Sequence, residues 1–397
     1  MHRAAGMALL FAVAPLHHAS PWAALWTVPC ILVSSLLLAW GAEAAQFFLA
    51  QGFALAILAW MQTLPEFAVE AVLAWRQEVG LLLANLTGAL RLLTGLAWPL
   101  IYLTAAVVYR RRERRPLRFI HLREDHSVEV VALFFPLVYA LVIWWKRTLH
   151  IYDAAILIGF YLVYLFLLTK LPPEAHERVE DLPAVPRRIA LSPRAKRIAL
   201  ISGFFAAGGL IVYLTAEPFL GSILALAAVL NVPSFILVQG VAPVISEFPE
   251  LASTFYFARK RENAAIAIMN IASSNINQWT LLVAMLPIVF SMSRGGVAFV
   301  PLDAEQRREL LLTIGQSFVA LTFLANMKFC WWEAMLMFLL FASQFALPAG
   351  WGPQAKLWIT AAFFFWTAIS VVAIIARRKR PEALKYFAAT WRAHVNA

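Results

Sequence analysis

Runs of about twenty predominantly apolar residues recur along the whole chain, divided by short basic or Pro/Gly breaks, and a run of that length matches the hydrocarbon thickness of a bilayer. About eleven candidate helices are expected, near 22–42, 48–75, 79–109, 127–146, 151–171, 197–217, 224–258, 263–292, 306–326, 329–347 and 355–376. The third and eighth exceed what a bilayer requires, which predicts tilt or a break rather than extra spans. With 62% hydrophobic and 14% charged residues and a mean hydropathy of +0.74, the chain lies outside the soluble range. The expected fold class is an all-α polytopic membrane protein.

The net charge of +11 does not point to nucleic acid, because the basic residues sit in clusters between apolar spans, where the positive-inside effect puts them. Seven arginines fall between Arg110 and Arg123, and further clusters run Arg187–Arg197, Arg259–Arg261 and Arg377–Arg380. All lie on one side of the eleven-helix arrangement, which makes that side cytoplasmic, with the N-terminus outside and the C-terminus inside. The weaker Lys146-Arg147 and Arg307-Arg308 pairs fall opposite, and contact with acidic membrane lipid is a second role for the clusters. An integral protein of a bacterial inner (cell) membrane is expected. Met7–Pro15 loosely resembles a secretory signal and reads as a short interfacial lead-in. Cys30 and Cys330 are too few for a disulfide framework or metal cluster, and His17-His18 is a weak metal signal.

The longest polar stretch carries five prolines and mixed charge and reads as a cytoplasmic linker over 172–196. It separates a first repeat over 1–171 from a second over 197–347, and an extra helix with a basic tail occupies 348–397. Five helices precede the linker, so the second five enter the membrane in the opposite sense. Such an inverted 5+5 repeat is a signature of secondary transporters with a midplane site.

The repeat is visible residue by residue. Gln62-Thr63-Leu64-Pro65-Glu66 lies over Ser246-Glu247-Phe248-Pro249-Glu250, and Ala84-Asn85-Leu86-Thr87-Gly88 over Met269-Asn270-Ile271-Ala272-Ser273. A glutamate deep in a bilayer is costly and marks an ion or proton path, and the adjacent proline frees a backbone carbonyl as a ligand. Upstream, Gly41-Ala42-Glu43 matches Thr215-Ala216-Glu217; both acids are expected near helix ends, where a solvated carboxylate is ordinary.

On these motifs, together with Asn270-Ile271-Ala272-Ser273-Ser274-Asn275-Ile276, the chain resembles a divergent member of the cation/calcium exchanger superfamily, the sodium/calcium and proton/calcium antiporters. The resemblance implies a ten-helix core in which the second and third helices of both halves cross at the membrane centre, joined here by an eleventh helix. It implies secondary antiport of inorganic cations, Ca2+ against Na+ or H+, with no organic cofactor, at a site formed by Thr63, Glu66, Ser246, Glu250 and Ser274. Oligomeric state stays open.

This sequence departs from the family pattern where Ala89 and Leu93 replace two oxygen ligands of the first half and Gln278 stands for an acid or amide in the second. Two added acids, Glu70 and Glu247, lie about a turn from Glu66 and Glu250, so they either complete a four-carboxylate cluster able to carry a proton, or face a cavity mouth or a base. Arg91 replaces an apolar family position; it either pairs with Glu66 or Glu70 or turns away from the centre. Asn85 and Asn270 line the pathway or bond between helices. The residues following Pro65 and Pro249 are expected to break their helices. Nothing supports ATP-driven or covalent chemistry, although a transport-defective protein on the same scaffold is an alternative.

Overall fold

The computed structural model describes residues 20–45, 47–48, 63–171, 179, 182–259, 264–346, 352–376 and 379–394. Met7–Pro15, His17, His18, the start of the second candidate helix, the linker before Leu182 apart from Val179, Lys260, Arg261, Arg377 and Arg378 lie outside the described residues. The first half comprises α1 (Ala24–Ala45), α2 (Leu64–Trp75), α3 (Val79–Leu92) continued by α4 (Trp98–Glu113), β1 (Phe119–His121), α5 (Ser127–Lys146), β2 (Thr148–Leu149) and α6 (Ile151–Lys170). A short helix, α7 (Ala184–Ala190), sits within the linker and rests against α1.

The second half repeats the order: α8 (Arg194–Val229), α9 (Ser234–Ser246) and α10 (Phe248–Ala258), α11 (Ala264–Asn277) continued by α12 (Val283–Ser293), β3 (Val300–Pro301), α13 (Ala304–Leu324), β4 (Lys328–Cys330) and α14 (Trp331–Ala346). Then come α15 (Gly352–Ile375), the extra membrane helix, and α16 (Glu382–His394), which packs on α5. Seven described helical spans are long and apolar enough to cross a membrane. The chain is an all-α polytopic membrane protein with an inverted repeat.

The sixth helix differs from expectation. The sequence reading ends it at 217 and starts the seventh at 224; α8 runs unbroken for 36 residues through Pro218. Proline removes one backbone donor and does not by itself end a helix whose apolar sequence continues. Glu217 is therefore far from a helix end; its half-exposed carboxylate pairs with Arg76. Glu43, near the end of α1, is buried.

The third helix of each half carries a π-helical turn at matched positions, Leu93–Ala97 and Gln278–Leu282. Two short ladders link the halves. β1 pairs antiparallel with β4, Ile120 opposite Phe329, and β2 with β3, Leu149 opposite Val300. Each ladder is extended by one further bond, Leu122 N–H to Met327 O and Leu302 N–H to Arg147 O, both 2.9 Å. Met327 and Arg147 adopt matching left-handed conformations, φ 57° and 64°. The pseudo-twofold therefore exchanges the ladders, which lie at opposite ends of the 20-residue α5, about 30 Å apart.

Helix α1 packs along α8, with Gly208 against Ser34 and Leu38, Gly41 against Phe205, and Thr27 Oγ1 bonded to Ser222 Oγ at 3.0 Å. Small residues are what allow such approach between membrane helices.

Candidate functional site

Both Pro-Glu pairs open a half-helix at the centre of the bundle. In the second half the helix breaks before the proline, at Glu247 (φ −86°, ψ −3°), rather than at the residue following Pro249; in the first half α2 starts after Thr63 (φ −87°, ψ 2°), and the residues before Thr63 lie outside the described ones. Proline disfavours helical geometry in the residues preceding it and is well suited to a helix's first turn, so the break lies on its N-terminal side. Glu66 and Glu250 thus occupy the first turns of α2 and α10, where the positive end of the helix dipole favours a carboxylate.

Four buried carboxylates, Glu66, Glu70, Glu247 and Glu250, gather between these two helix starts and the third helices. Gln278, first residue of its π turn, donates to Glu66 Oε2 and to Glu247 Oε1, both at 2.8 Å, and so bridges the two halves. Ser274 Oγ donates to Glu250 Oε2 at 2.6 Å, and Asn85 Nδ2 to Glu70 Oε1 at 3.0 Å. The carboxyls of Glu66 and Glu247, and of Glu247 and Glu250, also lie within hydrogen-bonding reach of each other. Glu70 and Glu247 join the cluster, both buried, and among the described residues neither pairs with a base.

Thr63 and Ser246 are buried beside this cluster. Asn277 Nδ2 donates to Thr63 Oγ1 at 2.7 Å, while Ser246 Oγ donates to Ala242 O, 3.2 Å, within its own helix. Asn277 escaped sequence reasoning because its counterpart in the first half is Leu92. Of the matched asparagines, Asn85 reaches the cluster and Asn270 is exposed.

Among the described residues, Glu66 Oε1, Glu70 Oε2, Asn85 Oδ1 and Gln278 Oε1 are buried oxygens that accept no hydrogen bond. Buried acceptors left open in this way suit a hard cation, which replaces its hydration shell with oxygens. Among the described residues, no group of three or more acid, His or Cys side chains is arranged so as to hold a metal ion directly.

Arg91 lies elsewhere. Six residues beyond Asn85, it points about 120° away around the same helix, and it pairs with Glu309 Oε2 on α13 at 2.8 Å, not with Glu66 or Glu70. Gln239 Nε2 on α9 donates to the same oxygen at 2.8 Å, Lys356 on α15 pairs with the other, and Arg91 also donates to Gln344 on α14 at 3.0 Å. A second polar centre thus ties five helices together, and it gives the extra helix α15 a structural role. The guanidinium's direction away from the four acids explains how a fixed positive charge coexists with them.

No curated sequence matches the chain. Among solved structures, the crystal structure of the H+/Ca2+ exchanger CAX is similar at 31% identity and a TM-score of 0.85, over 97% of this chain and 93% of that one. The sodium-calcium exchanger NCX_Mj soaked with Na+ and Sr2+ is similar at 18% identity and a TM-score of 0.55, over 82% and 98%, and native YfkE at 14% and 0.59, over 91% and 98%. The last two show likeness of fold alone. A family described as "Sodium/calcium exchanger protein" matches residues 19–170 and 200–347, the two halves of the inverted repeat. With its repeats matched and its Pro-Glu pairs meeting at the bundle centre, the chain belongs to the sodium/calcium exchanger protein family, transporters rather than enzymes.

Proposed function

We propose that the chain is a secondary antiporter that exchanges Ca2+ or a related cation for protons, with Na+ as the alternative coupling ion, by alternating access. The observation that carries this reading is the gathering of four carboxylates from both halves around Gln278. Glu66 and Glu250 take the cation directly, Thr63, Ser246, Ser274 and Gln278 supply neutral oxygens, and Glu70 and Glu247 adjust the charge. Two facing carboxylates balance one divalent ion or two monovalent ones, which is the basis of exchange.

Protons are favoured over sodium by the carboxyl contacts Glu66–Glu247 and Glu247–Glu250. A hydrogen bond between two carboxyl groups needs a proton on one of them, so such a pair stores protons when the cation leaves. The similarity to an H+/Ca2+ exchanger supports the same choice. The transport-defective reading is favoured if Arg91 neutralises Glu66; the Arg91–Glu309 pair removes that support. An N-terminus outside, a C-terminus in the cytoplasm and residence in a bacterial inner membrane complete the proposal, supported by the clustered arginines.

The test is calcium-45 uptake into proteoliposomes under an imposed proton gradient and, separately, a sodium gradient, with Glu250→Gln as control. Uptake driven by one gradient and lost in the variant supports the antiporter and names its coupling ion. Folded protein that takes up no calcium under either gradient overturns calcium exchange.

A further inference from the structure

A cavity of about 680 Å³ opens where the third helix of the first half meets the start of the third helix of the second. Its lining combines the basic or polar Arg115, Arg118, His121 and Tyr109 with the apolar Ala105, Leu117 and Ile120 and the first turn of α11, Ala264-Ala265. No carboxylate lines it among the described residues.

Arg118 and His121 are held in place by the β1–β4 ladder. Arg118 O accepts a hydrogen bond from Trp331 N at 3.2 Å, and the next residue enters the β1–β4 ladder, which fixes His121 opposite Lys328. Lys328 extends over the Phe119 ring, 5.6 Å from its centre, and adds positive charge nearby. Arg123, just outside the cavity, pairs with Asp125 at 2.5 Å, whereas Arg115 and Arg118 form no ion pair among the described residues. The pocket's own arginines are exposed.

We propose that this cavity binds the phosphate group of an anion, independently of the transport site. Arginine's planar fork matches phosphate oxygens two at a time. The first described turn of α11 adds the N-terminal side of a helix that continues through α12. Size indicates the bearer. A water molecule's share of liquid volume is about 30 Å³, so bare phosphate leaves most of this space empty. The apolar lining reaches Ala105, two turns inside the end of α4 and roughly 12 Å from it along the helix. Arginines beside such an apolar lining fit the headgroup and glycerol of an acidic phospholipid better than a free ion.

The experiment titrates full-length protein in neutral detergent with phosphatidylglycerol or phosphatidylcholine of the same acyl chains, reading bound lipid by native mass spectrometry. A separate arm measures inorganic phosphate binding by equilibrium dialysis. The variants are Arg115→Ala/Arg118→Ala and, as a charge-matched control outside the cavity, Arg111→Ala/Arg112→Ala, each checked for an unchanged melting temperature. The expected result is one phosphatidylglycerol per chain, bound about tenfold more tightly than phosphatidylcholine, with that preference lost in the cavity variant and kept in the control. Saturable phosphate binding lost in the cavity variant, without lipid preference, supports the site and assigns it to a free anion. Equal binding of every probe by wild type and cavity variant overturns the proposal, as does an equal loss in the control, which marks diffuse surface charge.

Discussion

The carbonyl oxygen of Gln239 lies where a side chain on Gly88 would have to go: an ideal Cβ at Gly88 would stand 2.0 Å from it. Helices α3 and α9, one from each half, cross at that point, and the contact is backbone, which cannot rotate away. Gly88→Ala is expected to force the helices apart and cost at least about 1–3 kcal/mol. Thermal unfolding in detergent checks this; an unchanged melting temperature refutes the crossing.

Replacing Glu66 or Glu250 by Gln removes charge with almost no change in volume. Each substitution is expected to abolish cation exchange while leaving the melting temperature within a few degrees of wild type. Calcium-45 flux and thermal unfolding on the same preparations separate loss of site from loss of fold, and unchanged flux in both variants removes the proposed site.

Gln278 is the donor shared by an acid from each half. Gln278→Leu leaves Glu66 and Glu247 without that donor, at a cost of about 1–3 kcal/mol for a buried group left unsatisfied. Exchange is expected to fall about tenfold or more, with a larger effect on the rate at saturating calcium than Ser246→Ala, whose hydroxyl bonds within its own helix. Initial rates across a calcium series test the ranking.

Arg91→Met strands Glu309 with one cation fewer, which for a buried ion pair costs about 3–5 kcal/mol. The double variant Arg91→Met/Glu309→Gln is expected to recover part of that stability, a coupling readable as a double-mutant cycle. Because the guanidinium faces away from Glu66 and Glu70, Arg91→Ile should not by itself raise calcium affinity in protein that remains folded. A tightened calcium affinity refutes that assignment.

Lys379 donates to Glu333 Oε1 at 3.1 Å and to Thr322 O at 3.0 Å, and Ala383 N–H donates to Ala325 O at 3.0 Å. These bonds anchor the tail under α13 and α14. Lys379→Ala is expected to speed protease cleavage near α16 several-fold, with little change in global melting; equal cleavage rates refute the anchoring role.

The inverted repeat was legible because a Pro-Glu pair deep in an apolar run is costly anywhere but at a site, and it occurs twice in register. Glu66 and Glu250 follow from that pattern, Ser274 from the family resemblance, and the two added acids from helical spacing. The partners were not legible. Glu309, Gln239, Gln344 and Lys356 are scattered over four helices, and only packing brings them to Arg91. Asn277 has no counterpart in the first half, the π turns leave no local signal, and the ladder strands are two or three residues long. The position of the helix break in the second half was misjudged because the effect of proline falls on the residues before it.

The paired ladders have a mechanical meaning. One is stitched at each end of α5, so a loop of the first half is fastened to a loop of the second at both surfaces of the bundle. Halves sewn together at both rims cannot hinge apart like a clam shell. Under the alternating access proposed above, the moving parts are expected among what the stitches leave loose, and α1 and α8, clasped to each other along their length, are long helices outside both seams.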